Sequence, residues 1–229
     1  MSENGSIFVI VAAFNEQRVI AATVKPLLAK GYTVVVVDDG SAEPMSTVLS
    51  GFPVVLIRHS FNLGQGAALQ TGMEYAIENG AQVLVHFDAD GQHDANQIPE
   101  MVAPIRDGAA DVVLGSRFLR ASDLNQVPRA RRLLLRVATT ISGLLTRVWL
   151  SDTHNGFRAL SVDAARHINL RESGFSHATE ILSQIREAKL RYAEAPTTIR
   201  YSEYSRAKGQ PMANSFRVFF DLILRKLLP

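Results

Sequence analysis

Two aspartates one residue apart, Asp88-Ala89-Asp90, follow the run VLVHF at residues 83–87. Side chains alternate along an extended chain, so both carboxylates can turn toward one point at the end of such a strand. There they repel unless a cation lies between them. Mg²⁺ or Mn²⁺ suits the pair, because a hard cation takes a few carboxylates and keeps positions for diphosphate oxygens and water. Gln92 and His93 are near enough in sequence to join or brace that shell.

A second acidic pair, Asp38-Asp39-Gly40-Ser41, closes the run VVVV. A carboxylate at such a place can accept hydrogen bonds from a ribose or a base. An Asx turn leading into the next helix is the competing use of the same residues. Asn62-Leu63-Gly64-Gln65-Gly66 adds a glycine-rich turn whose backbone amides can approach an anion. The turn lacks the Lys-Ser/Thr of a P-loop and the spacing of GxGxxG, which counts against a kinase or a dehydrogenase.

These residues need a frame. Short β-branched runs alternate with helix-period segments through the first half, predicting βα units on a mostly parallel sheet. Strands are expected at 7–13, 33–38, 54–58, 83–88 and 111–114, with helices at 16–30, 44–49, 66–79 and 95–106. Ligands of such sheets sit beyond the carboxyl ends of the strands. Asn15-Glu16, Asp38-Asp39, Asp88-Asp90 and Gly115-Ser116-Arg117 all fall there.

Past residue 120 the pattern changes. Residues 128–150 read as one long helix with Arg129, Arg132, Arg136 and Arg147 on a stripe, and residues 216–227 read as a second amphipathic helix. Both suit a membrane surface, and equally a packing face on the sheet with solvated arginines.

The 229 residues, 47% of them hydrophobic and 20% charged, have the make-up of a folded domain with a full core, and disorder is excluded. One domain over 1–229 is expected. The chain has no cysteine, which removes thiol catalysis and disulfides. The apolar run at residues 7–14 falls short of the roughly 20 residues of a membrane span, and no signal-peptide charge pattern precedes it. A cytoplasmic protein is expected. Residues 1–110 hold 5 Lys and Arg against 12 Asp and Glu, whereas residues 111–229 hold 19 against 10. One half therefore suits cations and the other anions. No motif points to nucleic acid.

Taken in order, AAFNE at 12–16, VVVVDDGS, NLGQGAAL, FDADGQH, GSR, DTHNGFRA at 152–159 and YSRAKGQ at 204–210 resemble the GT-A fold of family-2 glycosyltransferases. The likeness is strongest to dolichol-phosphate mannose synthases and bacterial polyprenyl-phosphate glycosyltransferases, and it covers nearly the whole chain. It implies an α/β fold with residues 1–117 as the nucleotide-sugar and metal half and 118–229 as the acceptor half. By the same resemblance, Ala12, Asn15, Glu16, Asp38, Asp39 and Gly66 belong to the site for a UDP- or GDP-linked donor. Asp88, Asp90 and Gln92 would hold the divalent metal. Arg117 faces phosphate, and Arg206 and Lys208 form a basic flap over the diphosphate.

The implied reaction is inversion at the anomeric carbon with diphosphate leaving, its growing charge stabilised by the cation and fixed arginines. A lipid phosphate can attack unaided, while a sugar hydroxyl of a growing glycan needs a base. Asp152, His154 and Glu180 are the candidates, and Asp152 or Glu180 could instead orient Arg158 or an acceptor group. The family suggests that Arg131 meets an acceptor phosphate, but Leu134, Leu135 and Arg136 stand where those enzymes often carry a serine. Two other readings are a sugar nucleotidyltransferase and a non-catalytic binding subunit. AAFNEQ at 12–17 lacks the triphosphate-binding loop of the first, and the DxD argues against the second.

Overall fold

The computed structural model describes residues 6–120, 139–140, 142–144, 146–153, 155–171 and 176–199. Seven strands form one sheet in the order β3-β2-β1-β4-β6-β5-β7. They are β1 (Ile7–Ala13), β2 (Thr33–Asp38), β3 (Val55–Arg58), β4 (Val83–His86), β5 (Val112–Ser116), β6 (Arg158–Ser161) and β7 (Tyr192–Pro196). All pairings are parallel except those of β6, which runs antiparallel to both β4 and β5.

The first five strands lie where the β-branched runs predict them, within two residues at each end. β4 stops at His86, two residues short of the expected end, so the aspartates stand in the loop beyond it. β5 continues to Ser116 because β7, absent from the sequence reading, pairs alongside it as far as Pro196. β6 was likewise not expected. Its four residues are too short to display a period.

The helices are α1 (Ile20–Ala29), α2 (Ser46–Leu49), α3 (Gln65–Glu78), α4 (Ile98–Arg106), α5 (Val162–His167) and α6 (Ser176–Glu187). α1 starts four residues later than expected, where the Glu16 carbonyl accepts the N–H groups of Val19 and Ile20. Ala95–Gln97 is a 3₁₀ turn before α4, capped by Asp94, whose carboxylate accepts the Asn96 N–H. The long helix expected at 128–150 is corrected at its end. Residues 139–140, 142–144 and 146 are helical, but Arg147 takes φ 58°, donates its N–H to the Gly143 carbonyl and ends the helix. Val148 and Leu150 then turn into the core. Residues 128–138 and 216–227 lie outside the described residues.

A core lies on each face of the sheet, as expected for strands that read as near-continuous hydrophobic runs. On one face Val9, Val11, Val36, Val85 and Phe157 pack with Val24 and Leu27 of α1 and Met101 of α4. On the other, Ile10, Val35, Leu84 and Leu160 pack with Leu69 and Met73 of α3 and Ile181 and Ile185 of α6. α3 approaches so closely that a Cβ on Gly72 would stand 2.3 Å from Ile10 Cγ2. That approach seats the middle of α3 on the middle of β1.

Candidate active site

β1 lies at the centre of the parallel half, with β2 on one side and β4 on the other, so chain connections diverge from its carboxyl end and leave a crevice there. The crevice is a cleft of about 680 Å³. Ala12, Ala13, Phe14 and Glu16 line it from the end of β1, Asp39 from β2, Asn62, Gly64 and Gln65 from the turn into α3, and Asp88 to Asp90 from beyond β4.

The neighbouring aspartates after β2 do different work. Asp38, 1% exposed, accepts the N–H groups of Ser41 (3.0 Å) and Met45 (3.1 Å), so its carboxylate holds the loop before α2 and is not among the residues lining the cleft. Asp39 reaches across to the glycine-rich turn. Its Oδ1 accepts the Leu63 N–H (2.9 Å) and its Oδ2 the Gly64 N–H (2.8 Å), while His59 Nδ1 lies 2.8 Å from Oδ1. His59 Nε2 is 3.0 Å from Thr71 Oγ1 on α3, which ties the clamp to that helix. Gly40 permits the approach: at φ 69° its absent Cβ would lie 2.4 Å from the Phe61 carbonyl carbon. Asn15, at φ 56°, donates its N–H to Ser41 Oγ and accepts the Ala42 N–H, joining the loops after β1 and β2. Gly66 is buried in the first turn of α3, between Gln65 and Ala68, which both line the cleft.

Asp88 and Asp90 share the cleft with Glu16. Asp88 Oδ2 lies 2.9 Å from His93 Nε2, and its Oδ1 accepts from Gln65 Nε2 at 3.3 Å. Burial works to raise its carboxyl, but the charges of His93, Arg158 and His177 and the His93 hydrogen bond outweigh that and hold it below the ordinary value. Asp90 shifts the other way. Burial and the neighbouring charge of Asp88, with a smaller push from Glu16, raise its carboxyl against the hydrogen bond from Gln92. Gln92 donates its backbone N–H to Asp90 Oδ1 (3.0 Å) and its side-chain amide to Oδ2 (2.7 Å), so it braces Asp90. Thr23 of α1 donates to the Ala89 carbonyl between them.

This donor set fits a divalent cation. Its atoms are hard carboxylate oxygens, and the unfavourable charge on Asp90 is what a cation would relieve. Among the described residues no cluster of three or more His, Cys, Asp or Glu side chains gathers around a point, so two carboxylates would leave positions for ligand oxygens and water.

Arg117, just past the end of β5, is buried and is not among the residues lining the cleft. Its Nε and Nη2 donate to the two oxygens of buried Asp152 at 2.6 and 2.7 Å, and its backbone N–H reaches Oδ2 at 3.2 Å. Two expected catalytic residues are thus brought together as one fork. Glu194 of β7, which sequence reasoning missed, accepts the Ser151 N–H (2.8 Å) and hydroxyl (2.7 Å) and so fixes the turn carrying Asp152. Glu180 is not brought to the cleft. Its carboxylate accepts the Arg171 N–H beside α6, in a separate depression with Asn169 and Gln184. Arg131, His154, Arg206 and Lys208 lie outside the described residues.

Comparison with known proteins follows the same lines. The family model described as "Glycosyl transferase family 2" matches residues 8–168. An uncharacterized protein of Methanocaldococcus jannaschii is 33% identical, over 96% of this chain and 92% of its own. A UDP-N-acetylglucosamine–dolichyl-phosphate N-acetylglucosaminyltransferase of Methanococcus voltae is 29% identical, with 96% of each chain covered. Among solved structures, glucosyl-3-phosphoglycerate synthase of Mycobacterium tuberculosis, in complex with Mn²⁺, UDP and glucosyl-3-phosphoglycerate, superposes with a TM-score of 0.67. At 18% identity, covering 96% of this chain and 78% of that one, the likeness shows the fold, the GT-A arrangement. From the parallel core, the aspartates at the ends of β2 and β4 and these matches, the chain belongs to glycosyl transferase family 2.

Proposed function

We propose that this chain is a metal-dependent, inverting glycosyltransferase that moves a sugar from a nucleoside-diphosphate sugar to a polyprenyl phosphate. The observation that carries the reading is the placement of Asp88 and Asp90 in one cleft, opposite a glycine-rich turn whose amides Asp39 holds in place. In this reading Asp39 and the turn receive the nucleoside. Asp88 and Asp90 hold the cation, with Gln92 positioning Asp90. A bound divalent ion supplies charge neutralisation to the departing diphosphate. Arg117 serves as the phosphate-facing arginine at the end of β5, its charge partly balanced by Asp152, and Arg206 and Lys208 complete the donor side.

The state of the candidate bases supports the choice of acceptor. Asp152 is engaged by Arg117 and Glu180 by the Arg171 backbone. An acceptor phosphate arrives ionised and asks neither for proton removal. The name of the Methanococcus voltae relative, with its UDP-linked donor and dolichyl-phosphate acceptor, supports the same pair of substrates. We place the enzyme at the cytoplasmic face of a membrane, with Arg131 and the basic segment 129–147 toward the lipid phosphate. Among the described residues no helix is long and apolar enough to cross a membrane.

Thermal unfolding with UDP-, GDP-, dTDP- and CDP-linked sugars, each with Mn²⁺, Mg²⁺ or EDTA, tests the donor half, because a ligand that binds only the folded state raises its stability. A metal-dependent rise with one base is expected. No rise with any donor would overturn the donor site.

A further inference from the structure

Among the described residues, the largest fully buried side chain is a charged one, Arg158, 2% exposed at the start of β6. Its neighbours follow from strand register. β6 runs antiparallel to β4 with Arg158 opposite His86, and carrying the register two places further sets Gly156 opposite Asp88. Residues two apart share a face. The Asp88 carboxylate does lie against Gly156, since a Cβ there would stand 2.5 Å from both of its oxygens. Arg158 therefore enters the protein on the face that carries Asp88, directly beneath the cleft.

Burial lowers the guanidinium to about 10, against the opposing pull of Asp88 and Asp152, so it remains a cation at neutral pH. Nε and Nη1 are buried with no hydrogen-bond partner. Donors left like this cost about 1–3 kcal/mol each or more for a charged group, so they must be offset by something other than hydrogen bonding. His86, its neighbour in register, also has both ring nitrogens unpartnered. Burial, with the charges of Arg158 and His177, brings its imidazole down to about 3, so it is neutral and adds no charge. Of the two acids near Arg158, Asp152 already has a bidentate partner in Arg117. Asp88 has no such guanidinium fork, only His93 and the long contact to Gln65.

We propose that Arg158 is a positioning residue, a resident cation that balances the charge of Asp88 from below when no divalent ion is bound and competes with that ion for the same carboxylate. Its consequence is that the free enzyme takes up the divalent ion weakly. The diphosphate of the donor, bringing its own negative charge, restores the attraction, so metal and donor enter together. The part concerning metal rests on the site proposed above, whereas the coupling of Arg158 to Asp88 does not.

A double-mutant cycle separates the two. Arg158→Met keeps the volume and removes the charge, and Asp88→Asn removes the partner. In EDTA at pH 8, Arg158→Met should lower the unfolding temperature by roughly 5 °C, because Asp88 loses the cation beneath it while part of its charge stays screened by solvent. In the Asp88→Asn background the same change should cost less than half as much. Equal losses in the two backgrounds would overturn the coupling. If Arg158→Met does not yield folded protein, Arg158→Gln serves in the same cycle. Titration with Mn²⁺ alone, read by electron paramagnetic resonance of the free ion, should show about tenfold tighter binding to Arg158→Met than to wild type, with Arg158→Lys close to wild type. Unchanged or weaker binding would overturn the competition. If the wild type binds no Mn²⁺ with or without donor, the metal site itself fails, and the cycle in EDTA still decides whether Arg158 balances Asp88.

Discussion

Replacing Gly156 by alanine should disable the site while sparing the fold. Gly156 is not among the glycines with positive φ, so alanine meets no backbone strain there. The added Cβ would lie 2.5 Å from both Asp88 oxygens and 2.8 Å from its Cγ. Carbon contacts settle near 3.5 Å, so the carboxylate must retreat by about 1 Å. It is the end of a side chain in a cleft and can do so cheaply, and the loss of stability should stay below about 1.5 kcal/mol. The retreat gives up the placement set by His93 and Gln65, and a 1 Å error at a reacting centre costs on the order of 10²-fold in rate. The control is Gly72→Ala, whose Cβ would meet Ile10 Cγ2 at 2.3 Å inside the core. It should cost about 1–3 kcal/mol of stability and leave metal-dependent donor affinity of the folded protein unchanged. Urea unfolding and donor titration with Mn²⁺ on both variants make the comparison. If Gly156→Ala binds donor and turns over like wild type, the position of the Asp88 carboxylate against Gly156 does not matter to the site.

Arg117→Met strands Asp152 as a buried charge without its fork and should lose about 3–5 kcal/mol, part of which Asp152→Asn restores in the double variant. Urea unfolding of the three proteins checks this. Asp39→Asn cannot accept on both oxygens, so the Leu63 and Gly64 amides lose part of their clamp. Donor affinity should fall by roughly tenfold, for about 1–3 kcal/mol of lost hydrogen bonding, in a titration by calorimetry. At the sheet edge, hydrogen bonds from Arg191 are the chief cause that holds the Asp111 carboxyl below its ordinary value. A depressed folded-state value means a stabilising contribution that is complete above the usual carboxylate range and lost as pH falls through the folded-state value. Asp111→Asn should therefore narrow the stability difference from wild type as unfolding is followed from pH 7 into acid.

The parallel half of the fold was legible in the sequence because its strands are buried on both faces and read as unbroken runs of valine and isoleucine. β6 and β7 were not. Arg158 stands first in one and Glu194 mid-way in the other, and a charge in a short run reads as surface, whereas Arg158 is buried and Glu194 half-buried. The acids at strand ends were legible as a group, but not their division of labour. Asp38 and Asp39 are adjacent, yet alternation sends one under the loop before α2 and the other to the turn before α3. Asp152 reads as a candidate base only from its place in the DTHNGFR segment that the family resemblance sets on the acceptor side. Only the return of the chain beside β5, 35 residues away from Arg117, turns it into that arginine's anchor.

Incubating the protein with a radiolabelled sugar nucleotide, Mn²⁺ and a polyprenyl phosphate, then following label into the organic phase, tests whether the protein transfers sugar to lipid. Metal-dependent transfer is expected, abolished by EDTA and by Asp90→Asn, with nucleoside diphosphate released in equal amount. Label that stays in the aqueous phase with every donor, while the donors themselves bind, would contradict it.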